Sequence, residues 1–198
     1  MNLDKMLIAV SLIFTTLYFS GCEDNVHSQE LYFIGDSHIA RWDLGYYFPN
    51  YITYNKGVSG SNIQYLEECE NKYANKNIVV MIGSNDIGVI GTKYTLEDYA
   101  MKYVSAIEQL HGKIVYIYSI LPNDNIENNW DVDYSKTVPM LNSAIESELK
   151  RLGTNAVYVN IYNLMTINGY LNPEYYSDGL HLNYYGYEIL ANKLQEQL

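Results

Sequence analysis

The sequence predicts an α/β fold: a central, mostly parallel five-stranded sheet with helices on both faces. Three observations predict it. Five short apolar runs, at 31–35, 51–55, 77–82, 113–119 and 156–161, alternate with longer amphipathic stretches. Two of the runs, Ile78 to Ile82 and Lys113 to Tyr118, are apolar on both faces, as strands covered from both sides tend to be. Strands alternating with helices, without internal repeats or a low-complexity linker, imply crossover connections and hence a parallel sheet. At 198 residues the chain is long enough for one such domain with a sizeable core.

The elements follow in chain order. Lys5 precedes an apolar run from Met6 to Phe19, too short to span a bilayer comfortably but suited to the core of a signal peptide. Ser20-Gly21-Cys22 follows and resembles a bacterial lipoprotein processing site. Residues 1–21 are therefore expected to be removed, Cys22 to be lipidated, 22–29 to act as a polar tether, and 30–198 to form the domain. Several acyl chains on Cys22 would anchor the protein stably to a membrane, as an exported lipoprotein of the bacterial cell envelope. An ordinary secretory signal cut nearby is the alternative.

The first strand, Leu31 to Gly35, breaks at Gly35-Asp36, a pair that favours turns. The second leads into Asn55-Lys56-Gly57-Val58-Ser59-Gly60-Ser61-Asn62 and a helix over 61–74. The third runs into Gly83-Ser84-Asn85-Asp86. Thr95-Leu96-Glu97-Asp98 resembles a capping box and opens a helix over 95–111, with Gly112 as its stop. After the fourth strand comes an irregular stretch, 121–134, whose Asn123 to Asn129 are candidates to touch a substrate. A helix over 135–152 stops at Gly153, the fifth strand follows, and a helix over 184–197 closes the chain.

Composition narrows the function. Twelve Lys+Arg against 23 Asp+Glu give a net charge of −11, which repels phosphate backbones and argues against nucleic acid as a partner. Tyrosine occurs 22 times; its rigid ring and hydroxyl suit sugar-facing or interfacial surfaces, although the count also fits the bias of an AT-rich genome. With Cys22 lipidated, Cys69 has no disulfide partner and is expected to be packed in a helix. His38, His181 and nearby acids lack the spacing of a zinc site, so neither metal nor cofactor is expected.

The chemistry-bearing residues fall at strand ends, where open α/β sheets bind ligands. Ser37 is either a helix N-cap or an exposed nucleophile. Gly60 can present a backbone N–H and Asn85 a neutral side-chain donor to an oxyanion, or each can simply form a turn. In Asp178-Gly179-Leu180-His181 a carboxylate can face one imidazole nitrogen and leave the other to take a serine proton. A nucleophile, a base, its orienting acid and oxyanion donors are the set that acyl transfer needs.

In this order the motifs resemble those of the SGNH hydrolases, the GDSL esterase/lipase superfamily, over essentially all of 31–198. Gly35-Asp36-Ser37 matches the first block, with His38 in place of the usual Leu; Gly60, Gly83-x-Asn85-Asp86 and Asp178-x-x-His181 match the others. The resemblance implies a flavodoxin-like three-layer α/β/α sandwich and ester hydrolysis through an acyl-serine. It implies Ser37, His181 and Asp178 as the catalytic residues, and the Ser37 N–H, the Gly60 N–H and Asn85 as the oxyanion hole. Asp36, His38, Arg41, Trp42 and Asp86 are further candidates to line the substrate. The expected substrate is acetylated carbohydrate. Short-acyl lipid or lysophospholipid, acetyl transfer onto a glycan, and glycan binding without catalysis are the competing readings; the oligomeric state is open.

Overall fold

The computed structural model describes residues 29–123 and 132–198. The strands of the main sheet are β1 (Glu30–Gly35), β2 (Ile52–Gly57), β3 (Asn77–Met81), β4 (Ile114–Tyr118) and β5 (Ala156–Val159). They lie in the order β2-β1-β3-β4-β5, and every neighbouring pair is parallel. The sheet is thus parallel throughout. The helices are α1 (Ser37–Ala40), α2 (Leu44–Tyr47), α3 (Ile63–Glu68), α4 (Leu96–Gln109), α5 (Tyr134–Leu152), α6 (Tyr162–Met165) and α7 (Tyr184–Gln195).

Strand side chains alternate between two cores, as the pleat requires. Ile34, Ile78, Val80, Val115 and Ile117 pack with α3, α4 and α5 through Leu66, Tyr103, Ile107, Leu141 and Ile145. Leu31, Phe33, Val79, Met81 and Tyr118 pack on the opposite face with Trp42, Phe48, Tyr187, Leu190 and Leu194. Neither helix layer could bury its apolar stripe without the sheet between them, which makes the three layers one unit.

The strand order puts β1 in the interior, with β2 on one side and β3 on the other. The chain therefore reverses direction across the sheet between β1 and β3. The loops leaving their carboxyl ends diverge there and open a crevice. Ser37 follows β1 and Asn85 follows β3, so topology alone delivers both to that crevice.

Four local expectations change. The helix expected over 61–74 ends at Glu68, because Asn71 and Asn75 take left-handed backbone (φ 56° and 60°). Their N–H groups bond to Gln109 O and His111 O at the end of α4. α4 begins as expected, with Thr95 Oγ1 accepting from Asp98 N, but it stops before Gly112, and His111 takes the left-handed turn (φ 49°). Gly112 is needed for space instead: a Cβ there would lie 2.7 Å from Val115. Asp36, not Ser37, caps α1, its side chain accepting the His38 N–H. A two-stranded hairpin, β6 (Thr166–Ile167) and β7 (Tyr170–Leu171), turns at Asn168-Gly169, where both residues have positive φ. Gly153 stops α5 in left-handed backbone as expected, and Cys69 is free and buried in the helix-lined core.

Candidate active site

Four loops meet at the carboxyl edge of the sheet. In the first, Ser37 is the opening residue of α1, directly after the Asp36 cap. In the last, Gly179 turns the chain with φ +73°, and the Asp178 carboxylate gathers the loop around itself. Its Oδ1 accepts the N–H of Leu180 (3.2 Å) and of His181 (2.7 Å), and its Oδ2 faces His181 Nδ1 at 2.7 Å. The opposite ring nitrogen, Nε2, lies 3.1 Å from Ser37 Oγ, across 144 residues of sequence. Burial alone would raise the Asp178 carboxyl; hydrogen bonds from the His181 N–H, the His181 ring and the Leu180 N–H outweigh it and hold it at about 2. The side chain is half-exposed, so solvent screens much of its charge.

The two intermediate loops supply donors. Among the described residues, neither the Ser37 N–H nor the Gly60 N–H bonds to a protein acceptor. Gly60 holds φ +78°, a conformation that strains any other residue except Asn or Asp. Asn85 spends one amide hydrogen on Ser61 O (2.8 Å), which fixes the side chain and leaves the second hydrogen available.

Buried and half-buried side chains tie these loops together. Ser61 Oγ donates to Gly35 O (3.0 Å) and Ser84 Oγ to Asp36 Oδ2 (2.8 Å). Asp86 Oδ2 accepts both the Ile63 N–H (2.9 Å) and the Tyr99 hydroxyl (2.8 Å), binding the Asn85 loop to the start of α3 and to α4. Desolvation by burial pushes the Asp86 carboxyl up from 3.8 to about 6 in spite of those bonds. His38 Nδ1 faces Asp36 Oδ1 (3.1 Å) and its Nε2 faces Leu180 O (3.1 Å). The scaffold thus holds the Gly60 and Asn85 loops against the Ser37 turn.

Among the described residues expected to border a substrate, only Arg41 is exposed; its guanidinium lies 3.9 Å from Asp178 Oδ2. Asp36, His38, Trp42 and Asp86 are buried. Asp36, His38 and Asp86 are drawn inward by the bonds above, and Trp42 stacks on Tyr187 with ring centroids 5.5 Å apart. These four brace the site from beneath. Asn123 is buried, and the rest of the candidate loop to Asn129 lies outside the described residues, as do residues 1–28 and Cys22. Ser61, Ser84 and Tyr99 are additional bracing residues. Ser61 and Ser84 sit inside the loop motifs, but Tyr99 lies thirteen residues from Asp86 with no local signal.

The family model of the GDSL-like lipase/acylhydrolase family matches residues 33–189. Solved structures share the fold. A GDSL-like lipase from Bacteroides thetaiotaomicron is 25% identical, with 85% of this chain and 87% of that one covered and a TM-score of 0.69. A lipase/acylhydrolase from Enterococcus faecalis is 17% identical (85% and 94% covered, TM-score 0.66). A variant of an acetyl xylan esterase from Geobacillus stearothermophilus is also 17% identical (85% and 94% covered, TM-score 0.58). No curated protein matches the sequence. The family match spans well over half of the chain, from the strand before Ser37 to the helix after His181; the protein belongs to the GDSL-like lipase/acylhydrolase family of carboxylic ester hydrolases.

Proposed function

We propose that this protein is a serine esterase that removes acetyl groups from carbohydrate. The observation that carries the reaction is the relay Ser37 Oγ–His181 Nε2 (3.1 Å) and His181 Nδ1–Asp178 Oδ2 (2.7 Å) beside three uncommitted donors. Ser37 Oγ attacks the ester carbonyl while His181 Nε2 takes its proton. Asp178 holds the ring and stabilises the imidazolium. The Ser37 N–H, the Gly60 N–H and the Asn85 amide receive the oxyanion. The carbon–oxygen bond to the alcohol then breaks, and His181 returns the proton to that oxygen. Water, losing its proton to His181, attacks the acyl-serine; the bond to Oγ breaks, Oγ recovers the proton, and the acid leaves.

The substrate class rests on a tyrosine patch whose first α7 residue follows His181 by three positions. Tyr184 and Tyr185, 50% and 63% exposed, follow His181 by three and four residues, and Tyr46 is 60% exposed. The Tyr46 and Tyr184 hydroxyls bond at 2.7 Å. Exposed rings edged with hydroxyls offer sugars both a flat apolar face and polar partners. Asp43 accepts the Tyr46 N–H and Glu188 lies close enough to Tyr184 to act on its hydroxyl, so the patch suits a neutral ligand better than an anionic one. That one structural neighbour is named an acetyl xylan esterase agrees with this reading.

Acetate release from acetylated xylan, alongside p-nitrophenyl acetate hydrolysis, tests both parts. The expected result is release from both, abolished in Ser37→Ala. Wild-type rates in Ser37→Ala would refute the mechanism; fatty acid release from lysophospholipid without action on xylan, or turnover that requires a sugar acceptor, would refute the substrate. For location, Ser20-Gly21-Cys22 supports an exported, lipid-anchored protein, and loss of labelled fatty acid incorporation in Cys22→Ser is its test.

A further inference from the structure

We propose that His38 is a positioning residue that keeps the Asp178–His181 loop in register after Ser37 has been acylated. The proposal rests on the esterase reading above and concerns a step within it. His38 stands where the motif it resembles has Leu, whose side chain could bond neither partner of the present ring. Its ring is buried. Leu180 O and the Asp36 carboxylate can each only accept, so the ring form that satisfies both 3.1 Å contacts carries a hydrogen on Nε2 and another on Nδ1. The Tyr187 hydroxyl from α7 donates to His38 O at 2.8 Å and secures the backbone of the turn.

The loop that receives this bond is pinned at its ends, by the Tyr176–Leu182 bridge and by Asn183, whose side chain donates to Glu174 O (2.8 Å). Its other internal bonds run to its own Asp178 side chain and to Ser177. The Asp178 side chain is half-exposed, and its contact with Arg41 is 3.9 Å long between two solvated groups. Among the described residues, two hydrogen bonds join the loop to the Ser37 turn: His181 Nε2 with Ser37 Oγ, and His38 Nε2 with Leu180 O. Acylation destroys the first. The new bond from Oγ to the acyl carbon displaces the hydroxyl hydrogen, and His181 must then turn its Nε2 to the incoming water. From that moment, of those two hydrogen bonds, only the His38–Leu180 bond still joins the base loop to the nucleophile turn. His38 therefore acts most on deacylation, when water delivers its proton to His181 and its oxygen to the acyl carbon.

The experiment compares the full chain with its His38→Leu and His38→Gln variants by stopped-flow hydrolysis of p-nitrophenyl acetate and intact-mass spectrometry of the quenched protein. A misplacement of about 1 Å at a reacting group costs roughly a hundredfold. In His38→Leu deacylation is expected to slow by about ten- to a hundredfold and acylation by much less. A burst of p-nitrophenolate then appears and acetylated Ser37 accumulates. His38→Gln, whose amide can still donate to Leu180 O, falls between the two. Equal losses in both steps, or no accumulation of acyl-enzyme, would overturn the proposal, since a loosened fold slows both steps alike. If His38→Leu shows no cooperative thermal melt, His38→Gln carries the same comparison. If the wild type turns over without Ser37 ever becoming acetylated and Ser37→Ala stays active, the esterase mechanism fails and the tether fails with it. If Ser37 is acetylated in every variant but never accumulates, the tether alone fails.

Discussion

Asp86 offers the sharpest quantitative check on how the site is built. Its carboxyl is enclosed between α3, α4 and the Asn85 loop, accepts the Ile63 N–H and the Tyr99 hydroxyl, and titrates at about 6 rather than 3.8, chiefly through desolvation, with a smaller push from Asp36. The folded chain thus holds this proton more tightly than the unfolded chain does. Stability gains from Asp86 protonation below about pH 4, declines as pH rises through 6, and bears the whole cost of the buried charge above that. At about 1.4 kcal/mol per pH unit, the difference between 3.8 and about 6 amounts to about 3 kcal/mol, most of it expressed between pH 4 and 7. Asp86→Asn keeps an acceptor oxygen for Ile63 and Tyr99 and removes the charge. Urea denaturation of wild type and variant at pH 4, 5, 6 and 7 should show the difference between them shifting by about 2–3 kcal/mol in the variant's favour as pH rises. Every other carboxylate is common to both proteins, so the difference isolates this one. Parallel curves would mean that the charge is carried at no cost, and the desolvation argument would be wrong.

Asn85→Ala removes the amide proposed to receive the oxyanion and should lower kcat on p-nitrophenyl acetate about 100- to 1000-fold, with KM much less affected. Because Asp178 is held at about 2, it stays ionised from pH 4 to 8, and its stabilising bonds weaken only as pH falls from about 4 toward 2. An acid limb of activity between pH 4 and 8 must therefore come from another group. Asp178→Asn is expected to reduce kcat by roughly a thousandfold or more while leaving that limb in place in a pH–rate profile. Gly35→Ala would put a Cβ 2.0 Å from Met81 O, so the end of β1 must shift. A loss of about 1–3 kcal/mol in denaturation experiments and a roughly hundredfold fall in kcat are expected together, since Ser37 follows two residues later.

The parts of the site that could be read in the sequence are those whose signal is local. Ser37, Gly60, Asn85 and the Asp178–His181 pair each sit in a short motif at the end of a strand or before a helix, and the parallel sheet gathers strand ends at one edge whatever lies between them. The length of the third helix was not legible, because the backbone groups of Asn71 and Asn75 bond to the end of α4, far along the chain. Nor was the inward turn of Asp36, His38, Trp42 and Asp86. From local sequence these are polar or aromatic residues beside a nucleophile, which suggests contact with a substrate. Their partners, among them Ser84, Leu180, Tyr187 and Tyr99, are supplied by the tertiary fold.

Those long-range partners divide the work of the Ser37 turn in an ordered way. Gly35, Asp36 and His38 flank the nucleophile, and each is bound to a different loop: Gly35 O to Ser61 beside Gly60, the Asp36 carboxylate to Ser84 beside Asn85, and the His38 ring to Leu180 beside His181. A change at each position should therefore disturb a different part of the reaction. Loosening the Gly35 or Asp36 link displaces an oxyanion donor, which is needed in both halves of the cycle, so acylation and deacylation should fall together. Loosening the His38 link displaces the base loop, whose second tie is present before acylation and gone after it, so the two halves should separate. Rates of the two half-reactions in variants at these positions thus distinguish a turn that anchors three loops independently from one that holds them only by its own rigidity, in which case every variant would slow both halves in the same proportion.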